Sequence, residues 1–97
     1  MGENERTVWD DPKNERNIAA RGIDFADLDV AFDGRFALVV EDRRRDYGEQ
    51  RFNMLVEVFG IVLNVTFTPR PSKYRIISAR LANRKERRAY HAGRQDG

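Results

Sequence analysis

Beyond Phe36 the hydrophobic positions of this chain follow a two-residue period. Phe52, Met54, Val56 and Val58 fall on one side, with Arg51, Asn53 and Glu57 on the other. Ile61, Leu63, Val65 and Phe67 repeat the pattern against Asn64, Thr66 and Thr68. Alternation of this kind marks strands with one face in a core and the other in water. It predicts strands over 36–40, 49–59, 61–68 and 74–80. They are joined by a charged loop at 41–48, a tight connection at Gly60 and a turn at 69–73, where Pro69 and Pro71 exclude a continued ladder. Glu49, Arg51 and Asn53 then share the polar face of one strand. In the last strand both parities carry an isoleucine, Ile76 and Ile77, so the faces taken by Arg75 and Arg80 stay open.

Before Phe36 the period is helical. Thr7-Val8-Trp9 reads as a short strand, and Asp11 as the N-cap of a helix with Pro12 at its first position, running to about Arg21 and stopping at Gly22. Asp24, with Asp27 three residues on, caps a second helix whose apolar face is Leu28, Ala31 and Phe32, ended by Asp33-Gly34. Near the C-terminus Asn83 caps a last helix, with Glu86 reaching back to the cap, as far as about Ala92 and a stop at Gly93. The predicted architecture is α+β: a short N-terminal strand, two helices, a four-stranded antiparallel meander and a C-terminal helix. The 97 residues make a single domain with a core over about 7–92 and loose ends at 1–6 and 94–97.

Charge changes this picture more than composition does. Net charge is +2, but residues 1–36 balance to −4, residues 37–69 to −1 and residues 70–97 to +7. A local field of that strength attracts polyanions whatever the net charge. The basic end carries Arg75, Arg80, Arg84, Lys85, Arg87 and Arg88, mostly arginine, whose fork grips phosphate through two hydrogen bonds. One strand face and the end of another offer Arg51 and Arg80 to a single phosphate if the elements lie side by side.

The absences are as informative. There is no cysteine, which excludes disulfides, thiolate metal sites and cysteine nucleophiles. The one histidine, His91, near the end of a helix, reads as a surface residue favoured by the dipole. The acidic cluster at Asp24, Asp27, Asp29 and Asp33 matches capping and exposure, not a calcium loop. No metal and no cofactor are expected. Phosphate-binding loop, dinucleotide and nucleophile-elbow motifs are missing. Apolar runs are too short for a membrane span and no signal segment is visible, so a soluble, cytoplasmic protein is expected.

Several stretches, in order, resemble the BrnT family of type II toxin–antitoxin toxins. They are Trp9-Asp10-Asp11-Pro12-Lys13 with Asn17, Gly22-Ile23-Asp24-Phe25, Asp46-Tyr47-Gly48-Glu49-Gln50-Arg51, and Arg75-Ile76-Ile77-Ser78-Ala79-Arg80 followed by Ala82 and Arg84 to Tyr90. The resemblance implies a RelE-like fold, RNA cleavage that arrests translation, and neutralisation by a BrnA-like antitoxin. That antitoxin would carry a ribbon-helix-helix part, through which the pair reaches operator DNA. Family members often show Lys-His where this chain has Ala20-Arg21, and His where it has Arg45.

RNA cleavage of this type uses the 2′-hydroxyl as nucleophile, so the protein must relieve it of a proton and stabilise the charged phosphorane. Arg51 and Arg80 are expected to stabilise, and Arg75, Arg84, Arg87 and Arg88 to hold the RNA. Glu49 or Tyr90 is the candidate base and Lys85 the candidate acid. The rival expectations are a non-catalytic nucleic-acid- or antitoxin-binding module on the same scaffold, and a structural protein whose basic end binds an acidic partner.

Overall fold

The computed structural model describes residues 1–96. Its elements are β1 (Gly2–Glu3), β2 (Thr7–Trp9), α1 (Asp11–Arg21), a 3-10 segment (Phe25–Phe32), β3 (Ala37–Glu41), β4 (Phe52–Val58), β5 (Ile61–Pro69), β6 (Tyr74–Leu81) and α2 (Arg84–Asp96). The strands form one six-stranded mixed sheet in the order β1-β2-β6-β5-β4-β3. The antiparallel meander β3–β6 is present, but it is only part of the sheet. β2 extends it by pairing parallel with β6, Thr7 beside Tyr74 and Trp9 beside Ile76, and β1 adds a further antiparallel strand.

The alternation in β4 and β5 sets the core. Met54, Val56, Val58, Leu63, Val65 and Phe67 lie on one face, all buried, beneath the 3-10 segment. That segment buries Phe25, Leu28 and Ala31, three residues apart, because a 3-10 turn repeats every three residues. The expected α-helix with Leu28, Ala31 and Phe32 as its face is therefore replaced by a tighter coil that adds Phe25 and leaves Phe32 half-buried.

Other boundaries move for local reasons. Asp10, not Asp11, is the N-cap of α1, accepting the Lys13 N–H at 3.1 Å. Gly22 ends the helix as expected, in the left-handed region at φ 70°. β4 begins at Phe52, so Glu49 and Arg51 belong to the preceding loop and not to the strand. Where loose ends were expected, Gly2–Glu3 is a strand and the helix continues through Arg94 to Asp96; Gly97 lies outside the described residues.

Gly93 does not stop α2. A Cβ there would meet Leu38 Cδ2 at 3.0 Å and Phe36 Cζ at 3.3 Å, so this glycine lets the helix close on β3. Gly93→Ala, with flexible side-chain ends as neighbours, is expected to be nearly neutral. Gly93→Ile overpacks the contact and should cost about 1–3 kcal/mol in a thermal melt. Equal melting of both variants would contradict the close approach.

Candidate functional site

The second face of the sheet is divided. One half is covered by α2, where Tyr90 packs with Val62 and Ala82 against Phe36 and Leu55. The other half is open and forms the floor of a cleft of about 630 Å3. Asn53, Asn64, Thr66, Ser78 and Arg80 line the floor, and Lys13, Arg16, Asn17 and Arg21 of α1 form a wall.

α1 lies where it does because β6 has a partly unpaired edge. β2 pairs only with Tyr74–Ile76, and beyond it the Ala79 N–H donates to Asn17 Oδ1 at 3.1 Å. The Asn17 amide also donates to the Ile23 carbonyl at 3.0 Å, which fixes its orientation. Helical geometry then turns Lys13, Arg16 and Arg21 with Asn17 to the cleft, and Asp11 and Glu15 away from it. This basic wall was missed in the sequence. Its signal is the spacing of positions 13, 16, 17, 20 and 21, which is obscured by interleaved acids.

A bulge in β6 decides which side chains reach this face. Phe67 pairs with Ile76 but Thr66 with Ser78, so Ile77 is an extra residue. Arg75 and Arg80 have opposite parity and would face opposite sides of a regular strand. The bulge places Arg75, beside Thr68, and Arg80, beside Asn64, on the same polar face.

At one end of that face stand three guanidinium groups. Arg51 lies one residue before β4 with its guanidinium 4.2 Å from the centroid of the Tyr47 ring. Arg70 donates to Glu49 Oε1 at 3.2 Å and to Thr68 Oγ1 at 3.4 Å, and Glu49 Oε2 is 3.6 Å from Arg51 Nε. Arg75 stands on the far side of Thr68. The Nε atoms of Arg51 and Arg75 are both buried with no hydrogen-bond partner among the described residues. A buried cationic donor without an acceptor is costly, so each of these Nε atoms calls for a partner that water or an anionic ligand can supply.

At the other end Arg80 is held by one carboxylate. Its Nη1 and Nη2 donate to Glu86 Oε1 and Oε2 at 2.8 and 2.9 Å. Asn64 donates to Glu86 at 2.9 Å, and the Asn83 N–H at 2.8 Å, while Asn83 Oδ1 accepts the Glu86 N–H, closing the expected capping box. The Arg80 hydrogen bonds above all push Glu86 down to about 2 from its usual 4.5. Its stabilising effect is therefore complete above pH 4.5 and is lost as pH falls towards 2. Glu86→Gln should melt below the wild type at pH 7, and the gap should close across that window. A gap constant from pH 7 to 2.5 would contradict the pairing. Arg44 borders the cleft in the same manner, tied to the buried Asp42 at 2.8 Å and holding that carboxyl well below its ordinary range.

Arg51 and Arg80 do not converge. Their rows cross β5 at Thr68 and Asn64, four residues apart, which is about 13 Å along the strand. Arg84, Lys85, Arg87 and Arg88 are exposed on α2 and none lines the cleft. Glu49, Arg51, Arg70 and Arg75 also lie outside its lining, grouped around Thr68 at the end of the polar face. Arg84, Arg87 and Arg88 instead border a hollow on the outer side of α2 with His91. Tyr90 is 2% exposed and packs edge-on against Phe36 at 5.3 Å, away from the cleft lining.

Among the described residues no three His, Asp or Glu side chains gather as a metal site, and no helix is long and apolar enough to cross a membrane. No curated protein sequence matches the chain significantly. Residues 9–86, with both arginine clusters' strands and the basic face of α1 inside them, match the family model of the ribonuclease toxin BrnT of type II toxin-antitoxin systems. The chain belongs to the BrnT family of ribonuclease toxins.

Proposed function

We propose that this toxin is a metal-independent endoribonuclease with a RelE-like arrangement, which lays an RNA strand across the open half of its sheet. The observation that carries this reading is the pair of buried, unpartnered Nε atoms of Arg51 and Arg75 on either side of Thr68. A phosphate there completes both donors and places its charge among three arginines and one carboxylate. Lys13, Arg16 and Arg21 then meet neighbouring phosphates along the wall, and Arg80, at the other end, a separate one. Between these charged ends the floor is Asn53, Asn64, Thr66 and Ser78, which leaves the bases in contact with amides and hydroxyls.

In this mechanism the 2′-oxygen attacks the adjacent phosphorus and the bond to the 5′-oxygen breaks. Arg51 and Arg75 stabilise the phosphorane, since guanidinium stays charged and donates to the developing oxyanions. Glu49, beside Arg51, takes the 2′-hydroxyl proton, and solvent water gives the 5′-oxygen its proton as the P–O bond breaks. Glu86 suits the base role poorly, because its low pKa makes it a weak proton acceptor. Tyr90 is buried beneath α2 against Phe36, and Lys85 is exposed on that helix away from the arginine cluster, so neither is given a part. The products carry 2′,3′-cyclic phosphate and 5′-hydroxyl ends.

Cleavage on these terms inhibits translation, and the partner we propose is a BrnA-like ribbon-helix-helix antitoxin, through which the pair reaches operator DNA. A binding module that cuts nothing is the second reading, favoured by the absence of an imidazole from the cleft lining. Induced expression with and without the antitoxin tests the two: RNA should fragment and growth stop without it, and both should recover with it. Intact RNA during growth arrest would favour the binding module.

A further inference from the structure

Phe59 and Gly60 join β4 to β5, with Val58 paired to Ile61. Both turn residues have positive φ, 53° and 79°, as a two-residue hairpin of this kind requires. Phe59 is a poor choice for that backbone, where asparagine or glycine sits without strain. Its ring is 76% exposed, so packing does not explain it. Ile61, at the start of β5, and Leu81, at the end of β6, are 52% and 58% exposed.

These side chains surround real hollows. Ile61, Leu81, Val62 and Ala82 line one of about 260 Å3, closed by Arg87 and His91. Across Gly60, Phe59 borders another of about 250 Å3 with Phe36 and Tyr90, where the carboxylates of Asp33 and Glu57 are paired with Arg35 and Arg94. Arg87 and His91 are shared with the outer hollow of α2, so the apolar patch runs without a break into the Arg84 and Arg88 face. Between Arg84 and Gln95 the one acidic residue is Glu86, which is tied to Arg80. Apart from Glu86 and its partner Arg80, none of these groups lines the cleft.

We infer that the β4–β5 turn and the outer face of α2 are the docking surface for the antitoxin, and that they receive an acidic segment bearing apolar side chains. The inference rests on the antitoxin partner that family membership implies, and not on the cleavage mechanism. Apolar anchors in small hollows with a charged rim are how protein interfaces concentrate their affinity. RNA has no use for an aliphatic pair such as Ile61 and Leu81. A second copy of this chain, docked by a two-fold axis, brings the arginines of both copies together and is disfavoured by like charge. The surface lies seven residues of β5 from Thr68, about 23 Å, so docking and cleavage are separable by mutation.

The test titrates full-length cognate antitoxin into purified toxin and follows growth arrest in parallel. Phe59→Gly removes the anchor while relieving the turn, so the fold is kept, and circular dichroism checks it. Phe59→Gly with Leu81→Ser should weaken affinity at least tenfold. Arg88→Glu should weaken it and flatten its salt dependence. Growth arrest without antitoxin should stay at the wild-type level in the Phe59 and Leu81 variants, while antitoxin no longer reverses it. Wild-type affinity in Phe59→Gly and Arg88→Glu overturns the inference. So does unchanged affinity with lost growth arrest, which assigns the face to RNA. An antitoxin-free dimer that Phe59→Gly dissociates, with antitoxin affinity unchanged, overturns it in favour of a second copy. A wild-type protein that binds antitoxin through this face but cuts no RNA removes the nuclease mechanism and leaves the docking surface standing.

Discussion

Alanine at Arg51 or Arg75 should lower the single-turnover rate of RNA cleavage by about 10²-fold or more, the usual loss when one preorganised donor to a developing oxyanion is removed. Lysine at either position should recover only part of it, because an ammonium cannot make the paired hydrogen bonds of a guanidinium. The fold should survive each change. Neither Nε makes a hydrogen bond among the described residues, and Glu49, 3.6 Å from Arg51 Nε, keeps Arg70 as its partner, so each truncation strands no acceptor and removes one buried cationic donor. Melting temperatures at or above the wild type are therefore expected alongside the lost activity. Cleavage within threefold of wild type in both alanine variants would remove these arginines from the mechanism.

The largest effect on stability is expected from Val56→Asp. Val56 is fully buried at the centre of the sheet, between Ala37 on β3 and Leu63 on β5. A carboxylate there has no partner, and its desolvation costs several kcal/mol on top of the lost apolar burial. A domain of this size has on the order of 5–10 kcal/mol in total, so the variant should be largely unfolded at 25 °C. Val39→Asp is the matched control. That residue is 50% exposed on the edge strand, and its change should stay within about 0.5 kcal/mol. Equal melting of the two variants would mean that the core lies on the other face.

How far the sequence reveals this fold depends on how local each determinant is. The core faces of β4 and β5 are legible because alternation is set residue by residue. β6 is not, since the pairing of Phe67 with Ile76 and Thr66 with Ser78 makes Ile77 an extra residue, and a bulge leaves no mark beyond two adjacent isoleucines. The parallel contact of β2 with β6 joins segments at opposite ends of the chain, and a three-residue strand carries too little pattern to name its partner. Gly93 shows the same limit: a glycine late in a helix signals a stop, whereas here it serves a contact with Leu38 and Phe36 that only the tertiary structure creates.

The site was legible to a similar degree. Arg51 and Arg80 stand out as arginines beside polar strand positions, and Glu86 as a capping residue. The partnership of Glu86 with Arg80 is not visible, because it needs the turn from β6 into α2 to bring the two side chains together. The basic cluster at 84–88 draws attention by its density, yet it lies on the outer side of α2, while the sparser Lys13, Arg16 and Arg21 form the cleft wall. Density along the chain is a poor guide to density in space when a helix separates its faces.

The central claim is that the arginines on the polar face of the sheet hold and cleave RNA without a metal. Its most direct test offers the purified, antitoxin-free and demonstrably folded protein to bare RNA and to translating ribosomes, each with EDTA. The expected result is cleavage in at least one of the two, undiminished by EDTA, giving 2′,3′-cyclic phosphate or 3′-phosphate ends and lost in Arg75→Ala. RNA left intact in both, or cleavage that EDTA abolishes, would contradict it.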